Sequence, residues 1–173
     1  MRTLYLLRHA RAQRSPAIED FYRPLDDIGR TRASAMAAEF VSLGLRPDLI
    51  LCSAARRACE TLETVRPAFP ADTSVAIEEQ LYMASAEHIM RCLQAAPDAV
   101  VSLMVIGHNP GLQELGLLLG GKDSDARAAR LLISKMPTAA LAALTGELAR
   151  WRDLAPGILR LERLIRPKDL QRR

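Results

Sequence analysis

The chain has 173 residues, of which 49% are hydrophobic and 25% charged, and it carries a formal charge of +4 with a pI near 9.3. That length suits one domain with a self-sufficient core, and the composition excludes a disordered chain and leaves no window long enough for a membrane span. The basic balance permits anionic partners, but 4% aromatic residues and cations dispersed along helices exclude the stacking platforms and basic stripe of a nucleic-acid binder. Arginine supplies most of the positive charge, since the lysines are Lys122, Lys135 and Lys168. Its planar fork suits phosphate, although a GC-rich genome produces the same bias. Cys52, Cys59 and Cys92 form no CxxC pair and no metal-ligand cluster, and no signal-peptide cleavage pattern follows the first strand. Both features point to packed thiols in the cytoplasm.

Short apolar strands alternate with amphipathic helices. Thr3 to Arg8 reads as a strand. The segment "DDIGRTRASAMAAEFVSLGL" predicts a helix with Ala33, Met36, Ala37, Phe40 and Val41 inward, stopping at Gly44. "PDLILCS" is a second buried strand, followed by a helix with Ala58, Leu62 and Val65 on one face until Pro67. "TSVAIEEQLY" is a weaker strand and loop, and "SAEHIMRCLQAA" a helix with Ile89, Met90 and Leu93 inward. His88, on that helix, is a surface residue by default. "AVVSLMVIGHN" is the strongest strand, of the kind buried on both faces. A helix opens at Pro110-Gly111 and ends at Gly120-Gly121, and another runs from Ser124 to about Ser134. "TAALAALTG" stays ambiguous between helix and strand, "GILRLERLI" alternates as an edge strand, and "RPKDLQRR" is expected to fray. The alternation implies one α/β domain over residues 1–166, with a largely parallel sheet covered by helices on both faces, and a short basic tail at 167–173.

Ligands of such sheets sit beyond the carboxyl ends of the strands. Three strand candidates end in polar or cationic residues: Arg8-His9, Ser53 with Arg56 and Arg57 just beyond, and "GHNPG" with His108. Each alone has an ordinary structural reading as a cap, a solvated helix start or a turn. Together, as parallel neighbours, they would gather two imidazoles and one or two guanidiniums on one rim, facing helix N-termini that favour anions.

The four segments "LLRHARA", "RPLDDIGRTRA", "LILCSAARRACET" and "VIGHNPG", in this order and at these spacings, resemble the histidine phosphatase (phosphoglycerate mutase-like) superfamily. The likeness is greatest to its SixA-like phosphohistidine phosphatases, and it spans roughly Arg2 to Gly146. The resemblance implies a three-layer sandwich with His9 as nucleophile, Arg8 and Arg57 as phosphate ligands and His108 as the second imidazole. Arg56 falls at the variable position of the motif, and Arg11, Ser15 and Arg23 are candidate rim contacts. Ala10 replaces the glycine that usually follows the Arg-His pair, as in SixA-like relatives.

The resemblance also implies neither metal nor cofactor, which agrees with the lack of a carboxylate cluster. Cationic neighbours would keep His9 neutral, a backbone carbonyl would hold its other ring nitrogen, and protonated His108 would help neutralise the phosphoryl oxygens. Many relatives carry a general acid just past a leucine after the third strand. Here Tyr82 and Met83 stand there, while Glu78 and Glu79 precede Leu81 and read as surface residues. A missing acid argues against mutase activity and alkyl esters, because a phosphohistidine leaving group departs more readily. The expected partner is a phosphorylated signalling or carrier protein bearing phosphohistidine. The alternatives are a broad phosphatase of small phosphorylated molecules and a non-catalytic phosphate-binding module.

Overall fold

The computed structural model describes residues 1–170. Six strands form one sheet in the order β3-β2-β4-β1-β5-β6, with β1 at Arg2–Arg8, β2 at Leu49–Ser53, β3 at Ser74–Glu78, β4 at Ser102–Gly107, β5 at Leu141–Gly146 and β6 at Arg160–Ile165. The first four run parallel, and β5 and β6 add antiparallel to β1 and to each other. Six α-helices accompany the sheet among the described residues, α1 (Asp27–Ser42), α2 (Arg56–Val65), α3 (Ala86–Gln94), α4 (Gly111–Leu119), α5 (Ala126–Ser134) and α6 (Pro167–Leu170), with short 3-10 turns between elements. None is long and apolar enough to cross a membrane.

The period-two alternation of strand side chains sorts the core into two layers. Leu4, Leu6, Leu51, Leu103 and Val105 project to one face, where they meet Ile89 and Leu93 of α3, Leu112 and Leu115 of α4, and Leu132 of α5. Leu7, Ile50, Cys52, Met104 and Ile106 project to the other, against Met36 and Phe40 of α1 and Leu62 and Val65 of α2. The sheet is therefore the middle layer of a three-layer α/β sandwich. Each central strand is buried on both sides, as its unbroken apolar run requires.

Local sequence places the helix ends. Asp26 caps α1 by accepting a hydrogen bond from the Gly29 amide at 2.7 Å, Ser85 caps α3 through the His88 amide, and Asp125 caps α5 through the Ala128 amide. Three expectations change and one ambiguity is resolved. Val41 is 62% exposed, because it lies just off the stripe through Ala33, Met36 and Phe40. The "TAALAALTG" segment is β5: pairing with β1 from Leu7↔Leu141 to Arg2↔Gly146 overrides the helical preference of alanine and leucine. His88 is half-buried rather than on the surface, its Nε2 enclosed without a hydrogen-bond partner. Residues expected to fray form α6 at Pro167–Leu170, tied down by ion-paired Arg166 and Asp169 at 2.7 Å. The rest of that tail, 171–173, lies outside the described residues.

A close approach fixes where α1 begins. A Cβ on Gly29 would lie 2.0 Å from the Arg11 carbonyl oxygen, so only glycine lets the helix start rest on the segment leaving β1. Gly29→Ala should destabilise the protein by roughly 1–3 kcal/mol, as overpacking against backbone does. A lowered urea midpoint with an unchanged m-value would register this.

Candidate active site

Because β2, β4 and β1 are adjacent and parallel, their carboxyl ends deliver Ser53, His108 and His9 to one rim. The His9 amide bonds the Gly107 carbonyl at 3.0 Å, so the backbone of β4 holds the residue after β1. Thr61 ties α2 to the same place: its hydroxyl donates to the Arg57 carbonyl at 2.6 Å and accepts from the Ala10 amide at 3.0 Å. The Ala10 methyl is fully buried in the layer beneath α1 and α2, so this departure from glycine is accommodated by packing.

Arg57, 2% exposed, is the hub. Its Nε donates to His9 Nε2 at 3.3 Å, and its Nη2 lies 3.3 Å from His108 Nδ1. The two imidazole centroids are 5.0 Å apart. These bonds define the tautomers. His9 Nδ1 faces the Ala10 carbonyl at 2.7 Å, which can only accept, so the proton is on Nδ1 and the lone pair on Nε2. His108 accepts from Arg57 at Nδ1, so its Nε2–H donates to the Ser53 hydroxyl at 2.7 Å. Burial, with the nearby cations, lowers both imidazoles from 6.5 to about 3. His108 is thus neutral in this arrangement, unlike the protonated state expected from sequence, because Arg57 already points an N–H at it.

Arg8 lies half-buried beside them. Its Nη1 donates to the Met136 carbonyl at 2.8 Å, and its Nε is enclosed with no hydrogen-bond partner. Burial and the Arg57 charge lower its pKa from the ordinary value. A buried donor without an acceptor is costly, and here it is a cationic one.

The structure adds a residue that the sequence reading missed. A short turn of helix at Asp20–Tyr22, between β1 and α1, places Asp20 over Arg57. Its carbonyl accepts from Arg57 Nη1 at 2.6 Å, and its Oδ2 accepts from Arg57 Nη2 at 2.9 Å and from the Tyr82 hydroxyl at 2.7 Å. Its Oδ1 accepts from Arg23 Nε at 2.9 Å. The Tyr82 hydroxyl foremost, then Arg23 and Arg57, hold the carboxyl well below its ordinary range despite desolvation. The one sequence signal was the acid three residues ahead of Arg23 in "DFYRPL". Tyr82 lines the pocket edge-on to His108, with ring centroids 5.6 Å apart, and the Arg57 guanidinium carbon is 5.7 Å from its ring centre.

Among the candidate rim residues, Arg23 reaches the site through Asp20, whereas Arg11 and Ser15 do not. Arg11 pairs with Asp26 at 2.6 Å and so supports the α1 cap. The Ser15 hydroxyl accepts from the Ala17 amide in a local turn. Arg56 is exposed and pairs with Glu60 at 2.8 Å, outside the pocket. Glu78 and Glu79 stay away from the Arg57 cluster: Glu78 pairs with Gln80, and Glu79 is exposed. Arg8, Arg57 and Arg23 bring three positive charges to this rim and Asp20 one negative, so the pocket is suited to a dianion.

The sandwich and the cationic rim together define a phosphate-handling α/β protein. No protein-family model matches the chain. An "Uncharacterized protein" of Mycobacterium tuberculosis strain H37Rv is 31% identical over 153 residues, covering 87% of this chain and 93% of the relative. A solved structure from Agrobacterium tumefaciens, provisionally named a phosphohistidine phosphatase SixA, is 30% identical with a TM-score of 0.79 over 96% of this chain and 98% of that one. A similarly named structure from Nakamurella multipartitia is 26% identical, with a TM-score of 0.82 over 96% of both chains. The chain belongs to the histidine phosphatase superfamily, in its SixA-like branch, and is a phosphatase.

The two neutral imidazoles give stability a specific pH dependence. Both protonate more readily in the unfolded chain, so their effect is nil above pH 6.5 and destabilising as pH falls from there towards about 3. Between roughly pH 6 and 5, above the carboxylate range, each should lower stability by up to about 1.4 kcal/mol per pH unit. Urea unfolding across this range should show that slope in the wild type and a flatter one in the His9→Gln/His108→Gln double variant.

Proposed function

We propose that this phosphatase removes the phosphoryl group from phosphohistidine on a cytoplasmic signalling or carrier protein, without a metal, through a phosphohistidine intermediate on His9. The observation that carries this reading is the state of His9: neutral, with its Nδ1–H donated to the Ala10 carbonyl and its Nε2 lone pair facing the Arg57 guanidinium. A nucleophile needs that pair, which accepts from the Arg57 Nε–H. Here the donor belongs to a group that can turn to phosphoryl oxygens instead.

Arg57 and Arg8 neutralise the incoming dianion, the unpartnered Arg8 Nε gaining the acceptor it lacks. With Arg57 engaged by phosphate, the same anion favours a proton on His108 Nδ1, which becomes a further donor to the transferring group. The His9 lone pair forms a bond to phosphorus as the leaving nitrogen withdraws its own pair. The positive charge left on the His9 ring is stabilised through the Nδ1–H bond to Ala10. Water then attacks the phosphorus of phosphorylated His9, the N–P bond breaks with its electron pair returning to Nε2, and inorganic phosphate leaves with both protons of the water, restoring neutral His9.

Incubated with a phosphohistidine peptide, the wild-type protein should release phosphate and accumulate an acid-labile phosphorylated His9, and excess EDTA should leave the rate unchanged. His9→Ala should lose turnover by at least about 10³-fold. Arg57→Ala should lower kcat/KM by about 10²–10³-fold, the usual cost of deleting a donor to transition-state charge. Full turnover by His9→Ala would overturn the nucleophile assignment, and peptide binding without turnover by the wild type would overturn the phosphohistidine reading.

A further inference from the structure

The hydrogen bonds around Tyr82 impose a polarity on the pocket wall beside Arg57 and His108. A tyrosine hydroxyl has one proton and acceptor lone pairs. Here the proton is committed to Asp20 Oδ2 at 2.7 Å, so the Tyr82 oxygen has only acceptor capacity left to offer. Asp20 holds that orientation firmly, because Arg57 and Arg23 keep its carboxylate ionised and in place. Near neutral pH the pair has no proton of its own to give.

We propose that Tyr82 and Asp20 form a leaving-group subsite for a phosphorylated imidazole ring, the Tyr82 oxygen accepting the N–H of the ring nitrogen that does not carry phosphorus. The assignment rests on the phosphohistidine reading above and supplies what that reading lacks, a route for the leaving group without a general acid. In a phosphohistidine whose second ring nitrogen is protonated, the ring already holds the proton that departure requires. When its P–N bond breaks, the electron pair collapses onto the ring, and the ring leaves as neutral imidazole with its N–H intact. His9 simultaneously gives its Nε2 pair to phosphorus and becomes the cation. One positive ring thus replaces the other, and no proton moves during transfer.

The nearby Asp20 charge and the phosphoryl dianion both favour the protonated form of the substrate ring. The aromatic wall made by Tyr82 and Phe21, whose ring centroids are 5.0 Å apart, offers that cation a face. An alkyl phosphate brings no N–H and leaves as an alkoxide that needs a proton. At this subsite it would meet an acceptor facing an acceptor, which is repulsive.

The test compares kcat/KM for a phosphohistidine peptide with that for 4-nitrophenyl phosphate, whose leaving group needs no proton near neutral pH. Tyr82→Phe keeps the ring and deletes the acceptor, and should lower the phosphohistidine-to-aryl ratio about tenfold. Asp20→Asn removes the charge that favours the protonated ring and should lower the ratio in the same direction. A merely structural role would depress both substrates together, so an unchanged or raised ratio in the two variants overturns the subsite. If the wild type hydrolyses the aryl ester but not the peptide, the phosphohistidine reading falls and the subsite with it. If it hydrolyses both and only the ratio fails to respond, the subsite alone is wrong.

Discussion

The Arg57 guanidinium has to be satisfied away from water, and much of the rim is arranged around that need. A buried cation survives only with partners at its donors. His9 takes Nε, His108 and Asp20 share Nη2, and the Asp20 carbonyl takes Nη1. Meeting these demands requires the end of β1, the end of β4 and the turn before α1 to converge on the start of α2. Thr61 makes the convergence rigid by bonding both the Arg57 carbonyl and the Ala10 amide. The solution that stabilises the charge is also the one that strips His9 of its proton on Nε2, so stability and reactivity share a cause.

The sheet makes that convergence possible. β1 lies between β4 and β5, and β4 between β2 and β1, so two parallel neighbours of one central strand project their last residues the same way. Register is tightly specified, since a slip of one residue in β1 would exchange Leu4 and Leu6 for Tyr5 and Leu7 against the α3–α4–α5 layer. The same slip would turn His9 to the other face. The apolar alternation that packs the two layers therefore also aims the imidazole, and β1 needs no separate device to do so.

The central strands and the α2, α3 and α4 faces were legible because burial on both sides leaves unbroken apolar runs and helices leave a 3.6-residue stripe. What the sequence hid was decided by partners far along the chain. β5 has a helical composition and becomes a strand only because β1 offers an edge, and His88 is half-enclosed although its helix position looked exposed. Among the rim residues, Arg8, His9, Arg57 and His108 come together as their strand-end positions suggested. Arg11 could not be distinguished from Arg23 by sequence: both follow β1 in a polar loop, and only the fold sends one to Asp26 and the other to Asp20. Asp20 itself was invisible because a lone acid in a loop carries no periodicity, and its importance arises from Arg57, 37 positions away.

The absence of an acid at position 82 then has a structural logic. Leu81 is 2% exposed and anchors the turn after β3 in the core, so the next side chain is set at the pocket wall. In this chain that wall position faces Asp20, and a carboxylate there would bring two like charges together. They could not both remain ionised: one would have to hold a proton, or Asp20 would have to release Arg57. A tyrosine avoids the conflict by donating a hydrogen bond to Asp20, which keeps the carboxylate ionised and the buried guanidinium paired. Binding Arg57 through Asp20 and carrying a carboxylic acid on the β3 side are thus competing arrangements of one small space. This chain has the first, with Asp20 bonded to both Arg57 and Tyr82.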